Sequence, residues 1–163
     1  MGLGNIQEQP KRYYLGIAEG KIVHSTKEGK KYYAFVEGSL ERIYKQTRNF
    51  NGEEVLYWYI DLRGAKGELY TLSLPYKSGT FKSIVLSLAS DEAIALSTVR
   101  IEPYEKNGFT KVVISSNGTK LDWVTKELPA VGEVLIAGQK VKDDTKRMEF
   151  IESVVASICQ RLR

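Results

Sequence analysis

Apolar and polar residues alternate with a period of two along much of the first half of the chain. Such alternation, in segments rich in β-branched and aromatic residues, predicts β-strands. A glycine, Gly38, interrupts the second of these segments, and a glycine within a strand pattern predicts a bulge or a sharp bend. Asn51-Gly52 is a strong signal for a two-residue hairpin turn between the second and third segments. The sequence therefore predicts a first strand or hairpin arm followed by a three-stranded meander, in the segments YYLGIAEGKIVHST, YYAFVEGSLERIYKQTRNF, EEVLYWYIDLR and LYTLSLPY.

The period then becomes helical. Four apolar residues recur at i, i+3, i+4 and i+7, which predicts an amphipathic helix with Ser78 or Thr80 as its cap; they are Phe81, Ile84, Val85 and Leu88. After this helix, TVRIEPYEK and FTKVVISS flank the turn Asn107-Gly108 and predict a second hairpin. KLDWV and GEVLIAG are candidates for further short strands.

The last segment, DDTKRMEFIESVVASICQRLR, predicts a C-terminal helix. It begins with three candidate cap residues between Asp143 and Thr145. Its apolar stripe is expected to pack on the preceding domain or on another subunit, and consists of Ile151, Val154, Val155, Ile158 and Leu162.

The aromatic run Tyr57-Trp58-Tyr59 lies within the third strand segment. Successive side chains of a strand point to opposite faces, so the three rings cannot share one core. One parity is entirely apolar and is assigned to the core: Leu56, Trp58, Ile60 and Leu62. The other parity places Tyr57 and Tyr59 on the opposite face. On the next strand the same alternation places Thr71 and Ser73 beside them.

Basic residues surround these tyrosines in the sequence. Aromatic rings flanked by cations form the usual surface for single-stranded nucleic acid, because bases stack on the rings and cations pair with phosphates. The candidate nucleic-acid-binding residues are Tyr57, Tyr59, Arg42, Lys45, Arg48, Arg63, Lys66, Thr71 and Ser73. The alternative is that a helix covers both tyrosines, which would make them ordinary packing residues.

Composition limits the class of protein only moderately. The chain has 163 residues, and its 24 Lys and Arg against 20 Asp and Glu permit a polyanionic partner. A single cysteine, Cys159, excludes an internal disulfide framework and favours a reducing compartment. The N-terminal segment lacks the apolar run of a signal peptide, and the sequence has no apolar stretch typical of a membrane helix. A cytoplasmic protein without a membrane partner is expected.

The order of these segments resembles the OB-fold of bacteriophage-type single-stranded DNA-binding proteins. The resemblance covers roughly residues 32 to 125, and it depends on AFVEGSLERIYKQTRNFNGEEVLYWYIDLRGAKGELYTLSLPYKS, the helix with SIVLSLAS, and VRIEPYEKNGFTKVVISSNGTKLDWV. It implies a mainly β protein with a five-stranded barrel, one helix between the third and fourth strands, and a binding face on strands 2 and 3. Such proteins often end in an acidic tail, whereas this sequence ends in QRLR.

The expected organisation is a flexible N-terminus over residues 1–12, an OB-fold-like barrel over 13–140 with extra N-terminal strands, and a C-terminal helix within 141–163. The expected function is binding of single-stranded DNA, or RNA, with little sequence preference, in phage or mobile-element replication or recombination. No enzyme activity, cofactor or metal is expected, since His24 is the only histidine. The alternative function is a protein-interaction or self-assembly module, with a homodimer formed through the sheet or the C-terminal helix.

Overall fold

The structure, a computed structural model, describes residues 11–162. It is mainly β, with two α-helices and one short 3-10 turn. The strands are β1 (Arg12–Ala18), β2 (Lys21–Thr26), β3 (Gly29–Tyr33), β4 (Val36–Phe50), β5 (Glu53–Arg63), β6 (Leu69–Pro75), β7 (Thr98–Lys106), β8 (Phe109–Ser116), β9 (Thr119–Lys120), β10 (Gly132–Ile136) and β11 (Gln139–Asp143). The helices are α1 (Gly79–Leu88), between β6 and β7, and α2 (Thr145–Arg161), at the C-terminal end.

Within the described residues, nine strands form one sheet in the order β3-β2-β1-β6-β5-β4-β7-β8-β9, while β10 and β11 pair only with each other. All neighbouring strands are antiparallel except β1 and β6, which run parallel from the pairs Arg12 with Leu69 to Leu15 with Leu72. Across residues 11–162 the hydrogen-bonded sheet is open, with β3 and β9 as its two edges, so the predicted closed barrel is not confirmed. The N-terminal hairpin β1–β2 nevertheless approaches the other end of the sheet, where the amide of Gly20 donates to Thr110 Oγ1 at 3.2 Å.

Most strand and helix predictions are confirmed. The hairpin turn at Asn51-Gly52 has φ angles of 51° and 85°, which are the left-handed values that a two-residue hairpin requires. Ser78, and not Thr80, caps α1 by accepting a hydrogen bond from the amide of Phe81. KLDWV is not a strand, since β9 ends at Lys120. GEVLIAG does contain β10, but its partner β11 has too little apolar alternation to be recognised from the sequence.

The core lies on the inner face of the sheet, beneath the two helices. Trp58 is 2% exposed and stacks on the fully buried Phe81 of α1, with ring centroids 4.7 Å apart. The predicted apolar stripe of α2 is buried from Ile151 to Ile158 against the same core. The C-terminal helix therefore packs on the preceding domain of its own chain, which is one of the two arrangements that the sequence predicts.

Two strands extend across the predicted domain boundaries. β1 already begins at Arg12, and β11 continues to Asp143, past the expected boundary at residue 140. The remainder of the predicted flexible N-terminus, residues 1–10, lies outside the described residues. Within residues 11–162, neither helix has the length and apolar character needed to cross a membrane.

The bend in β4 does not occur at the predicted position. The register between β4 and β5 shifts between Leu40 and Arg42, so the bulge lies at Glu41 and not at Gly38. Gly38 has a different role, because a Cβ atom there would lie 2.6 Å from the carbonyl oxygen of Arg63. Glycine therefore permits close contact between the two strands at this point.

Replacing Gly38 by alanine is expected to destabilise the fold by about 1–3 kcal/mol, because the added methyl group meets backbone atoms that have little room to move. Chemical denaturation followed by tryptophan fluorescence would measure the change. A matched control is Gly16→Ala on β1, where an added Cβ meets nothing within 4 Å. Equal stability of the two variants would contradict this explanation of Gly38.

Candidate nucleic-acid interface

The face of the sheet turned away from the helices carries most of the predicted site. Cross-strand pairing places Tyr44 opposite Tyr59, and Tyr59 opposite Ser73. In the next row, Arg42 lies opposite Asp61, Asp61 opposite Thr71, and Thr71 beside Tyr14 of β1. We call this surface the outer face and define it by Arg12, Tyr14, Arg42, Tyr44, Arg48, Tyr57, Tyr59, Asp61, Thr71 and Ser73.

Tyr59 is on the outer face, as predicted, but its ring is not open to a ligand. It is 7% exposed. Tyr44 stacks on it with centroids 5.2 Å apart and planes inclined by 14°. Arg48 lies over the ring at 5.1 Å and donates from Nε to the phenol oxygen. Tyr59 is therefore covered by Tyr44 and Arg48, two side chains of the neighbouring strand β4.

Tyr57, Tyr44 and Tyr14 are the rings that the outer face presents. Tyr57 and Tyr44 are half-buried, and Tyr14 is 60% exposed. Each has a guanidinium group over it: Arg48 lies 4.6 Å from the centroid of Tyr57, Arg42 4.3 Å from that of Tyr44, and Arg12 5.0 Å from that of Tyr14. Such cation–π contacts hold flexible arginines beside the rings.

Asp61 anchors two of these arginines. Its side chain is 1% exposed, and one carboxylate oxygen accepts from Arg42 Nε at 2.7 Å. The other oxygen accepts from Thr71 Oγ1 at 2.7 Å and lies 3.8 Å from the guanidinium of Arg12. Arg12 also donates from Nε to Thr71 and from its terminal nitrogen to Tyr44. Because the buried carboxylate of Asp61 is paired with both guanidinium groups, it fixes the orientation of the Arg12 and Arg42 side chains. Part of each side chain remains exposed.

The two candidate hydroxyl residues of β6, Thr71 and Ser73, are largely covered. Thr71 is 1% exposed and is occupied with Asp61 and Arg12. Ser73 is half-buried, and its hydroxyl lies 3.5 Å from the carbonyl oxygen of Leu15. Both are covered because β1 pairs with β6. This contact joins segments that are far apart in the sequence, and the local sequence pattern does not predict it.

Arg63 and Lys66 lie at the far end of β5 and in the turn that follows it. Arg63 donates from two nitrogens to the carboxylate of Glu41, at 2.8 and 3.0 Å, and from a third to the carbonyl of Gly67. The hydrogen bond from Arg63 is the main cause that holds the pKa of Glu41 below its ordinary value. Arg63 is thus engaged within the protein, whereas Lys66 is exposed at the turn.

Lys45 is on the opposite face from the other predicted cations. Alternation after the bulge turns Arg42, Tyr44 and Arg48 outward and Lys45 inward, opposite Trp58. The Lys45 ammonium forms an ion pair with Glu152 of α2. Glu152 also accepts from the hydroxyl of Tyr76 at 2.8 Å. Burial first, and then this hydrogen bond, raises the pKa of Tyr76 to about 12. Lys45 therefore fastens the last helix to the sheet.

Replacing Glu152 by glutamine is expected to lower the free energy of unfolding by about 1 kcal/mol at pH 7. The hydrogen bond from Lys45 is the largest cause that lowers the pKa of Glu152 below its ordinary 4.5. A carboxylate with a lowered folded pKa contributes stability above the unfolded value, and this contribution disappears as the pH falls through the folded value. The difference between wild type and variant should therefore shrink as the pH falls below the ordinary pKa of 4.5 and through the lowered folded value. Denaturant titrations at pH 7 and pH 3.5 would measure both, and a penalty that persists undiminished at low pH would contradict the ion pair.

Three functional candidates of the outer face were missed by sequence reasoning: Arg12, Tyr14 and Tyr44. Tyr44 shares the parity of Arg42 and Arg48, so alternation along β4 contains the signal that identifies it. Arg12 and Tyr14 come into the site only through the parallel pairing of β1 with β6. Farther along the same side, Lys21 lies 5.6 Å over the ring of Tyr32, which is 53% exposed. The aromatic and cationic pattern therefore continues across β2 and β3.

Comparisons with protein-family models, with curated proteins and with solved structures give no significant match to this chain.

Proposed function

We propose that the chain binds single-stranded DNA on the outer face with little sequence preference. The observation that carries the proposal is that three arginines lie over three tyrosine rings on one side of one sheet: Arg12 over Tyr14, Arg42 over Tyr44, and Arg48 over Tyr57. A base can stack beside the rings of Tyr14 and Tyr57, whereas Tyr44 is stacked on Tyr59 and covered by Arg42. Each of the three guanidinium groups presents donors to a phosphate. Binding of this kind requires no catalytic group.

The geometry favours a single strand over a duplex. Only unpaired bases offer their flat faces to aromatic side chains, and such stacking contributes roughly 1–3 kcal/mol per base. Every base has such a face, so stacking alone implies little sequence preference. Phosphate contacts add a term that weakens as salt rises.

The proposal extends to an OB-type barrel. β4 pairs with β5 and β7, β5 with β6, and β7 with β8, and α1 lies between β6 and β7. This order is consistent with a partly open, five-stranded Greek-key barrel to which β1–β3 are added. In such a fold the second and third strands, here β5 and β6, carry the nucleic-acid face. The proposed setting is replication or recombination of a phage or mobile element.

Fluorescence anisotropy with labelled oligothymidine tests the function. We expect saturable binding that weakens on going from 50 to 200 mM salt, and much weaker binding to a duplex of equal length. Oligouridine in the same assay compares RNA with DNA. Absence of binding at micromolar protein, equal affinity for the duplex, or indifference to salt would contradict the proposal.

A second candidate is a self-assembly module, and the hairpin β10–β11 is the observation that favours it. Leu135 is 73% and Ile136 59% exposed. In the part of the chain that the structure describes, the two strands of this hairpin pair only with each other. An isolated hairpin with exposed apolar residues is typical of an interaction surface. Gel filtration of the wild type and of Leu135→Ser/Ile136→Ser would test it: a dimer that becomes a monomer supports self-assembly, and a wild-type monomer contradicts it.

A further inference from the structure

A cavity of about 360 Å³ lies on the other side of the N-terminal strands, between β1–β3, β6 and the start of β4. Its volume is at the lower end of the range of ligand-binding cavities, roughly 300–1,000 Å³. It is separate from the outer face, because alternation on β1 turns Tyr13 toward the cavity and Tyr14 away from it.

Aromatic rings make up most of the cavity wall. Tyr13 and Tyr70 stack with centroids 5.4 Å apart, and the ring of His24 meets Tyr13 edge-on at the same distance. Tyr33 and Phe35 are the other two aromatic residues of the wall and are 48% and 41% exposed. A cluster of exposed aromatic side chains around a concavity is typical of a ligand-binding site.

Polar groups on the same wall limit the chemistry of a ligand. The His24 imidazole has both a donor and an acceptor nitrogen when neutral. Glu37 also lines the cavity, and its carboxylate accepts from Arg100 Nε at 2.8 Å. Arg100 itself lies 3.9 Å over the ring of Phe35. Lys31 is the cross-strand partner of His24 on β3 and is exposed. A ligand that has a flat ring, hydrogen-bonding groups on the ring edge and an attached anionic group fits this combination of aromatic and polar side chains.

We propose that this cavity binds the base of a single nucleotide, with the rings of Tyr33 and Phe35 as stacking partners. The choice of a nucleotide among flat, anionic molecules rests on the proposed function. β3 is an edge of the sheet, and its adjacent residues Tyr32 and Tyr33 point to opposite faces. A strand that crosses the outer face past Lys21 and Tyr32 can therefore turn around this edge and place one base in the cavity.

The test uses the full chain and the resonance of its only histidine, His24. A base stacked in the cavity changes the ring-current field at the imidazole. In proton NMR, we expect deoxynucleoside monophosphates to shift the His24 ring resonances saturably at millimolar concentration. Deoxyribose 5-phosphate, which has no base, should leave them in place. Shifts of equal size with the sugar phosphate, or none with any of the four nucleotides, would overturn the proposal.

Two variants distinguish nucleotide binding in the cavity from oligonucleotide binding on the outer face. Tyr33→Ala/Phe35→Ala removes two exposed rings and is expected to weaken nucleotide binding roughly tenfold, as loss of base stacking does. The remaining resonances of its spectrum report whether the fold is retained. Tyr57→Ala, on the outer face, should leave the nucleotide-induced shift unchanged while it weakens oligonucleotide binding. Unaltered nucleotide affinity in the folded double variant would overturn the cavity proposal alone. If the wild type did not bind oligonucleotide, only the outer-face proposal would be overturned. A shift with an aromatic tripeptide but not with nucleotides would assign the cavity to a peptide and contradict our inference.

Discussion

Replacing Tyr14 and Tyr57 together by alanine is expected to lower affinity for oligothymidine by roughly 30-fold to 10⁴-fold. Each ring stacks one base for roughly 1–3 kcal/mol, and each 1.4 kcal/mol corresponds to a factor of about ten. The two residues lie on β1 and β5, separated by β6, so their effects should add. Anisotropy titrations of the two single variants and the double variant would measure both the size and the additivity.

Two control variants separate stacking from other effects. Tyr57→Phe retains the ring and loses only a hydroxyl, so its affinity should remain within about twofold of wild type. Phe109→Ala removes an aromatic ring that is 69% exposed at the β7–β8 turn, and it should have no effect on affinity. A loss in Phe109→Ala as large as in Tyr57→Ala would contradict the assignment of the outer face.

The second large effect concerns the dependence of affinity on salt. For a single strand, the slope of log K against log salt is about −0.7 for each phosphate neutralised. Arg42→Gln/Arg48→Gln is therefore expected to make the slope shallower by about 1.4 and to weaken binding most at low salt. Titrations at four salt concentrations between 50 and 300 mM would determine the slope.

Arg63 and Lys45 provide a control of equal charge. All three guanidinium nitrogens of Arg63 donate to Glu41 or Gly67, and Lys45 pairs with Glu152 on the other face of the sheet. Arg42, in contrast, pairs with Asp61 through Nε while its side chain remains 59% exposed. Lys45→Gln/Arg63→Gln removes the same two positive charges as the outer-face variant, yet it should change the slope by less than about 0.4. If both double variants changed the slope equally, net charge and not the outer face would govern binding.

The parity of β5 shows how much of the site was predictable from the sequence. Counting by twos from Leu56 correctly sends Trp58 into the core and Tyr57 and Tyr59 to the other face. The same count applied to β4 separates Arg42 and Arg48 from Lys45. Which of the two sets faces outward depends on the bulge at Glu41, because Leu40 before it and Ile43 after it both point inward. Local alternation thus contains most of the information about faces, and an unpredicted bulge limits its use.

Burial on the outer face was not predictable in the same way. Tyr59 and Thr71 are buried there because Tyr44 and β1 pack over them. The covering strand β1 is more than fifty residues from Thr71 in sequence, and its parallel pairing with β6 follows from no local signal. For the same reason Arg12 and Tyr14 were not recognised as members of the site.

Photo-crosslinking maps the position of the nucleic acid most directly. An oligothymidine with a single 5-iodouracil is irradiated in complex with the full chain, and the modified peptides are identified by mass spectrometry. The outer-face proposal predicts crosslinks at Tyr57, Tyr44 and Tyr14, which decrease when unlabelled oligothymidine competes. Crosslinks confined to α2 or to the hairpin β10–β11, with none on β1, β4 or β5, would contradict it.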